Sequence, residues 1–190
     1  MKLQITKRNS SIELLRFVFM FSIVLLHVYG HGSHLNFEWI YSLGSSWNTS
    51  YHLGIFSFCK IGVTGFMFIS GYYGIRMNKS KWVSMALLLL FWTAVLCLGV
   101  SGGKGLRLLL HPFDGWWYVS CYLFICLLSP IIEEGISRIS QHTFRNIVLA
   151  AIAYTYGAHF IGMNNDHDVS FLLTVYFTAR YLKYYPPPIC

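Results

Sequence analysis

The sequence predicts an all-α protein, a polytopic transmembrane helix bundle of five to six spans. Three observations point there. Of the 190 residues, 55% are hydrophobic and only 11% are charged, whereas soluble domains carry about 25% charged residues. Mean hydropathy is +0.52. The apolar residues fall in long runs, and a bilayer core about 30 Å thick needs ~20 mostly apolar residues in a helix.

The runs follow in order. The first is Ile12–Gly30, which contains Arg16 and His27. A secretory signal is its rival reading, with Lys2, Lys7 and Arg8 as the basic region. The length of the run, the internal Arg16 and the absence of an A-x-A-like exit favour a retained helix. The second run is Leu53–Ile75, interrupted by Lys60. The third, Val83–Val100, and the fourth, Trp116–Ile132, carry no charge. The fifth is Ile147–Gly162. The sixth, Val169–Lys183, meets Arg180 and Lys183 before completing a span, and Pro186, Pro187 and Pro188 then stop any helix.

The charges between the runs set a direction. One alternating set of loops and ends holds Lys2, Lys7, Arg8, Arg76, Lys79, Lys81, Arg138, Arg145, Arg180 and Lys183; the other holds Lys104 and Arg107. Positive charge collects on the cytoplasmic side, so the N-terminus is expected in the cytoplasm of a multi-pass inner-membrane protein. The net charge of +7 is thereby explained without nucleic acid, and no basic run of five or more argues otherwise. The lipid bilayer is the partner that composition implies.

Arg16 and His27 are eleven positions apart in the first run. At about 100° per residue this is three turns plus roughly 20°, so the two share one helical face, about 16 Å apart along the axis. Ionisable groups inside a span are costly and mark pathways or sites. The bland alternative is an Arg16 that snorkels to headgroups and an interfacial His27. Glu13 stands three residues before Arg16 and is placed to pair with it.

Three stretches carry a family likeness. The string IELLRFVFMFSIVLLH places Arg16 and His27 with ten residues between them. Gly62-Val-Thr-Gly-Phe-Met-Phe-Ile-Ser70-Gly71-Tyr72 is a glycine-rich helix ending in a Ser-Gly-aromatic motif. Trp117-Tyr118-Val-Ser-Cys-Tyr122-Leu leads to Leu128-Ser129-Pro130. Together they resemble the acyltransferase 3 family of bacterial integral membrane acyltransferases, and Val175–Lys183 resembles a later Tyr-rich helix of that family with a basic end. By this resemblance the chain is one membrane domain, residues 1–190, corresponding to the N-terminal portion of a longer acyltransferase domain.

The resemblance implies O-acyl transfer, most simply of acetyl from acetyl-CoA, to a hydroxyl of a cell-envelope carbohydrate. Acyl-CoA is then a donor substrate and no tightly bound cofactor is expected. His27 is the implied base or acyl carrier, and Arg16 the cation that steadies phosphate or developing negative charge. Arg76 and Lys79, with Lys81 beside them, are candidates for the donor's phosphates; the plainer reading is that they are positive-inside span anchors, since such residues flank most cytoplasmic span ends. Ser70 is a motif residue near a cavity, not a nucleophile, because the G-x-S-x-G elbow is absent. Trp117 and Tyr122 are candidate cavity residues, against an interfacial aromatic belt as the alternative. A transporter or flippase-like protein is the rival class, and an inactive truncated fragment a second alternative.

Other features read more plainly. Lys60 either lines a cavity or snorkels. Gly62, Gly65, Gly71 and Gly74 give spacings that let helices approach closely. His27, His31 and His34 follow an i, i+4, i+7 pattern, but no Cys or carboxylate stands near to complete a zinc set, and no metal site is expected. Cys59, Cys97, Cys121, Cys126 and Cys190 form no CxxC pair and read as small buried hydrophobes. Glu133 and Glu134 read as solvated loop charges. His111, Asp114, Asp166 and Asp168 fall in outer loops.

Overall fold

The computed structural model of the protein describes residues 10–28, 47–99, 117–161 and 168–187. They form helices α1 (Ser10–His27), α2 (Trp47–Tyr73), α3 (Lys79–Gly99), α4 (Trp117–Arg138), α5 (Gln141–Phe160) and α6 (Val169–Tyr184). No strand occurs among the described residues. The all-α expectation therefore holds. Among the described residues, three helices are long and apolar enough to cross a membrane: Ser10–His27, Ser50–Tyr73 and Trp117–Arg138. At 16 residues, α6 rises only about 24 Å, short of the ~30 Å hydrocarbon thickness. The basic tail Lys2, Lys7 and Arg8 lies outside the described residues, as do His31, His34, Lys104, Arg107, His111, Asp114, Asp166 and Cys190.

The helix bounds depart from the apolar runs where polar caps act. Asn78 accepts the Lys81 amide on its side chain at 2.8 Å and starts α3 four residues before the apolar run. Ser140 does the same for Thr143 at 3.2 Å, starting α5 well before Ile147. Asp168 caps α6: its carboxylate takes the Ser170 hydroxyl at 3.0 Å and the Ser170 amide at 3.5 Å. An acidic cap also complements the positive end of the helix dipole.

Helix α4 runs six residues past Ile132, straight through Pro130. A proline inside a helix removes one amide donor and strands the carbonyl four residues back, here that of Cys126. The Ser129 hydroxyl donates to that Cys126 carbonyl at 2.8 Å, so the lost bond is replaced from the neighbouring side chain.

The chain divides into two compact units, Met1–Met67 and Phe68–Cys190. In the first, α1 meets the glycine face of α2. A Cβ at Gly62 would lie 2.6 Å from the Phe19 carbonyl oxygen, and one at Gly65 would collide with the Phe19 ring. Phe19 also meets Phe66, ring centroids 6.1 Å apart. Close approach through glycine is therefore realised here. Elsewhere α1 is open: Leu14, Phe17, Met20, Phe21 and Val24 are each more than half exposed. Such continuous apolar surface suits a lipid environment and is a liability in water. Cys59 is buried, and Lys60 Nζ stands 5.8 Å from the Phe56 ring centroid.

In the second unit α6 is the central element. Leu172, Tyr176, Ala179 and Arg180 are all buried and recur at helical spacing. Helix α5 packs on one side, through a hydrogen bond between the Thr155 and Thr174 hydroxyls at 2.8 Å and the edge-on rings of Phe144 and Tyr181. Helix α4 packs on the other, with Cys121, Ile125, Cys126 and Ser129 buried. Gly71, at the end of α2, lies against α6: a Cβ there would sit 2.9 Å from both the Tyr176 carbonyl oxygen and the Ala179 Cβ. Gly74 has a different role from the packing expected of it. Its φ of +75° makes the left-handed turn that ends α2, and its amide bonds back to the Gly71 carbonyl at 3.2 Å.

Candidate functional site

Arg16 and His27 both lie in the unbroken helix α1, so the register that gives them a common face is preserved. Arg16 Nη1 pairs with Glu13 Oε1 at 3.0 Å, as the spacing predicted. His27 is the last residue of α1, and its Nδ1 bonds the Ile23 carbonyl at 2.9 Å. Only an Nδ1–H can make that bond, because a carbonyl oxygen is an acceptor. A neutral imidazole so held carries its basic lone pair on Nε2.

The second unit holds a polar centre that the apolar runs did not announce. Arg180 is only 8% exposed. Its Nη2 forms an ion pair with Glu133 Oε2 from α4 and also reaches the Tyr184 hydroxyl at 2.9 Å. Its Nη1 points to the Gly71 carbonyl at 3.5 Å, and its guanidinium lies 4.8 Å from the Tyr184 ring centroid. Tyr176, fully buried, donates its hydroxyl to Glu133 Oε1 at 2.5 Å. Arg180 Nε is buried without a hydrogen-bond partner among the described residues.

Sequence order explains how these groups meet. Contacts among Gly71, Glu133 and Arg180 bring the C-terminal ends of α2, α4 and α6 together at one end of the unit. Beside the ion pair opens a cavity of about 620 Å³, lined by residues that include Arg76, Ser129, Glu133, Arg180, Lys183 and Tyr184. With Glu133 paired to Arg180, Arg76 and Lys183 are lining cations with no carboxylate partner among the described residues. An anionic group is therefore the ligand chemistry that the cavity suits.

Two sequence expectations are corrected by this arrangement. Glu133 is not a solvated loop charge: it stands within α4 and is held by Arg180 and Tyr176. Arg180 is not a flanking cation but the buried partner of that glutamate, since an unpaired charge in such a place would be strongly destabilising. Glu134 is solvated as expected but also stands within α4 and not in a loop, with an exposed pair to Arg138 at 2.5 Å. The Arg180 signal was present in the sequence: Leu172, Tyr176 and Arg180 are spaced i, i+4, i+8, on one face of a helix.

The remaining candidates separate within the second unit. Arg76 lines the cavity, while Lys79 is the first residue of α3 and exposed. Ser70 is half-buried immediately before Gly71. Trp117 opens α4 and meets Tyr118 edge-on at 5.9 Å; Tyr118 stacks on Tyr122 at 6.2 Å. Trp117 stands far from Glu133: the two are sixteen positions apart, about 24 Å along the helix. Among the described residues no cluster of three or more metal-ligating side chains occurs.

Comparison with known proteins adds one result. No curated protein and no solved structure matches the chain. The sequence profile of the acyltransferase 3 family, an acyltransferase domain, matches residues 9–189. The match takes in α1 with its Arg16–His27 pair and runs through the cationic cavity, and the chain belongs to the acyltransferase 3 family of membrane acyltransferases.

Proposed function

We propose that the protein is an integral membrane O-acyltransferase that moves an acyl group, in the simplest case acetyl, from acyl-CoA to a hydroxyl of a cell-envelope carbohydrate. Its place is the bacterial inner membrane, as a multi-pass protein of five to six spans with the N-terminus in the cytoplasm. The charge distribution supports that orientation: with the buried Arg180 set aside, nine basic residues fall on one set of loops and ends against two on the other.

One observation carries the reading. In a chain of acyltransferase family, α1 holds a permanent cation and an imidazole on one face, with the basic nitrogen of the imidazole assigned to Nε2. In the reaction, Nε2 takes the acceptor's hydroxyl proton as its oxygen attacks the thioester carbonyl. The carbon–sulfur bond breaks and the thiolate leaves, protonated by the imidazolium. Arg16 stabilises negative charge on the donor's phosphates. Arg76 and Lys79 hold the donor's phosphates, and the cavity beside Arg76 has the cationic excess that this needs. Ser70, Trp117 and Tyr122 are assigned to the substrate-binding surface.

The test is His27→Ala in the full chain, assayed for transfer from acetyl-CoA and for membrane insertion. Loss of transfer with normal insertion is expected. Retained transfer would end the catalytic assignment. Arg76→Ala is expected to weaken acetyl-CoA binding, and unchanged affinity would return it to the role of a membrane anchor.

A further inference from the structure

We propose that Arg180 and Glu133 are positioning residues, which clamp the turn between α2 and α3 and so hold Arg76 in its orientation at the cavity. The inference rests on the assignment of Arg76 to the donor. It goes beyond it by naming what sets Arg76 in place.

The turn from Gly74 to Asn78 is short and tightly held. Its first residue adopts φ +75°, and an added Cβ there would lie 3.1 Å from Arg180 Nη1, so the guanidinium rests against the turn's backbone. The same Nη1 approaches the Gly71 carbonyl at 3.5 Å. The Ser129 hydroxyl, whose proton goes to the Cys126 carbonyl, lies 3.4 Å from the Ile75 carbonyl oxygen, and Lys81 Nζ donates to the Arg76 carbonyl at 2.7 Å. The carbonyls of Gly71 and Arg76 thus each face a cationic side chain, while the Arg76 side chain itself stays exposed.

The buried groups explain why Arg180 can act as a clamp. A guanidinium on α6 is fixed in rotation by Glu133 and Tyr184, and Glu133 is fixed in turn by Tyr176. Such over-determination is unnecessary for helix packing, since apolar residues of like volume serve that end as well or better. It does produce a preorganised turn, and preorganisation lowers the cost of ordering a cation around its anionic ligand.

The experiment uses the full chain in nanodiscs. Arg180→Lys and Glu133→Gln keep charge or shape but break the forked contact. Thr155→Val, which loosens the α5–α6 contact and leaves the turn alone, serves as the structural control. Hydrogen exchange of the 74–78 backbone, KM for acetyl-CoA and kcat are measured for each. Faster exchange in the turn is expected for Arg180→Lys and Glu133→Gln, with KM raised about tenfold and kcat within about twofold. Thr155→Val is expected to leave exchange in the turn and KM unchanged.

Unchanged exchange in folded Arg180→Lys overturns the clamp. Faster exchange with unchanged KM, or an equal rise in KM for Thr155→Val, overturns its link to Arg76. If Arg76→Ala leaves KM for acetyl-CoA unchanged, the donor reading of the cavity fails instead, and the exchange measurement still decides the clamp on its own.

Discussion

Two arginine–glutamate pairs in this chain obey different physics. Arg16 and Glu13 are three residues apart on α1, 3.0 Å between charged atoms, with both side chains 45% exposed. Arg180 and Glu133 are 47 residues apart, join α6 to α4, and leave the arginine side chain only 9% exposed. The first pair is made by helix geometry and costs the fold little to lose. The second exists only because packing removes the arginine, and most of the glutamate, from water, and each then depends on the other. A charge pair inside one helix is a local feature; one between helices is part of the fold.

Several variants would break or sharpen that contrast. The largest effect is expected on the local side, in activity and not in stability: His27→Ala should lower transfer by about 10²–10⁴-fold, the usual contribution of a general base, with unchanged insertion. Next is Glu133→Ala, which strands Arg180. Breaking a buried pair costs ~3–5 kcal/mol, and the 27% exposure of Glu133 places the expected loss near the lower end of that range. Denaturant titration in detergent measures it, and a loss under about 1 kcal/mol would show that solvent reaches the pair.

Smaller effects follow. Gly71→Val should destabilise by about 1–3 kcal/mol, the usual cost of overpacking, because a Cβ there already meets the Tyr176 backbone and the Ala179 side chain. A shift in apparent Tm tests it. Least of all, Glu13→Ala should change stability by less than about 0.5 kcal/mol, since the pair is solvent-screened. A double-mutant cycle on each arginine–glutamate pair states the contrast most directly: a coupling at Glu13–Arg16 as large as that at Glu133–Arg180 would erase it.

Hydropathy located the helices well but not their ends. Caps at Asn78, Ser140 and Asp168 act over one or two hydrogen bonds, which a run of apolar residues does not record. Continuation of α4 past Pro130 depended on the Ser129 hydroxyl, visible in the sequence but ambiguous between a helix stop and a repair. In the candidate site, Glu13–Arg16 and the α1 register of Arg16 with His27 were readable from spacing. Arg76 was read from its place after the glycine-rich helix. Glu133 and Arg180 were misassigned, because a charge at a helix end looks alike whether it faces solvent or a partner from another helix.

Composition and periodicity were therefore enough for the helical class, the membrane character and the shared face of Arg16 and His27. All three follow from hydrophobic run length and a fixed rotation per residue, which are properties of the local chain. Tertiary structure alone decided the pairing of Arg180 with Glu133 and Tyr176, the held turn at Gly74, and the cavity beside Arg76. Those depend on which helix ends are brought together, and on the desolvation that makes a charge require its partner.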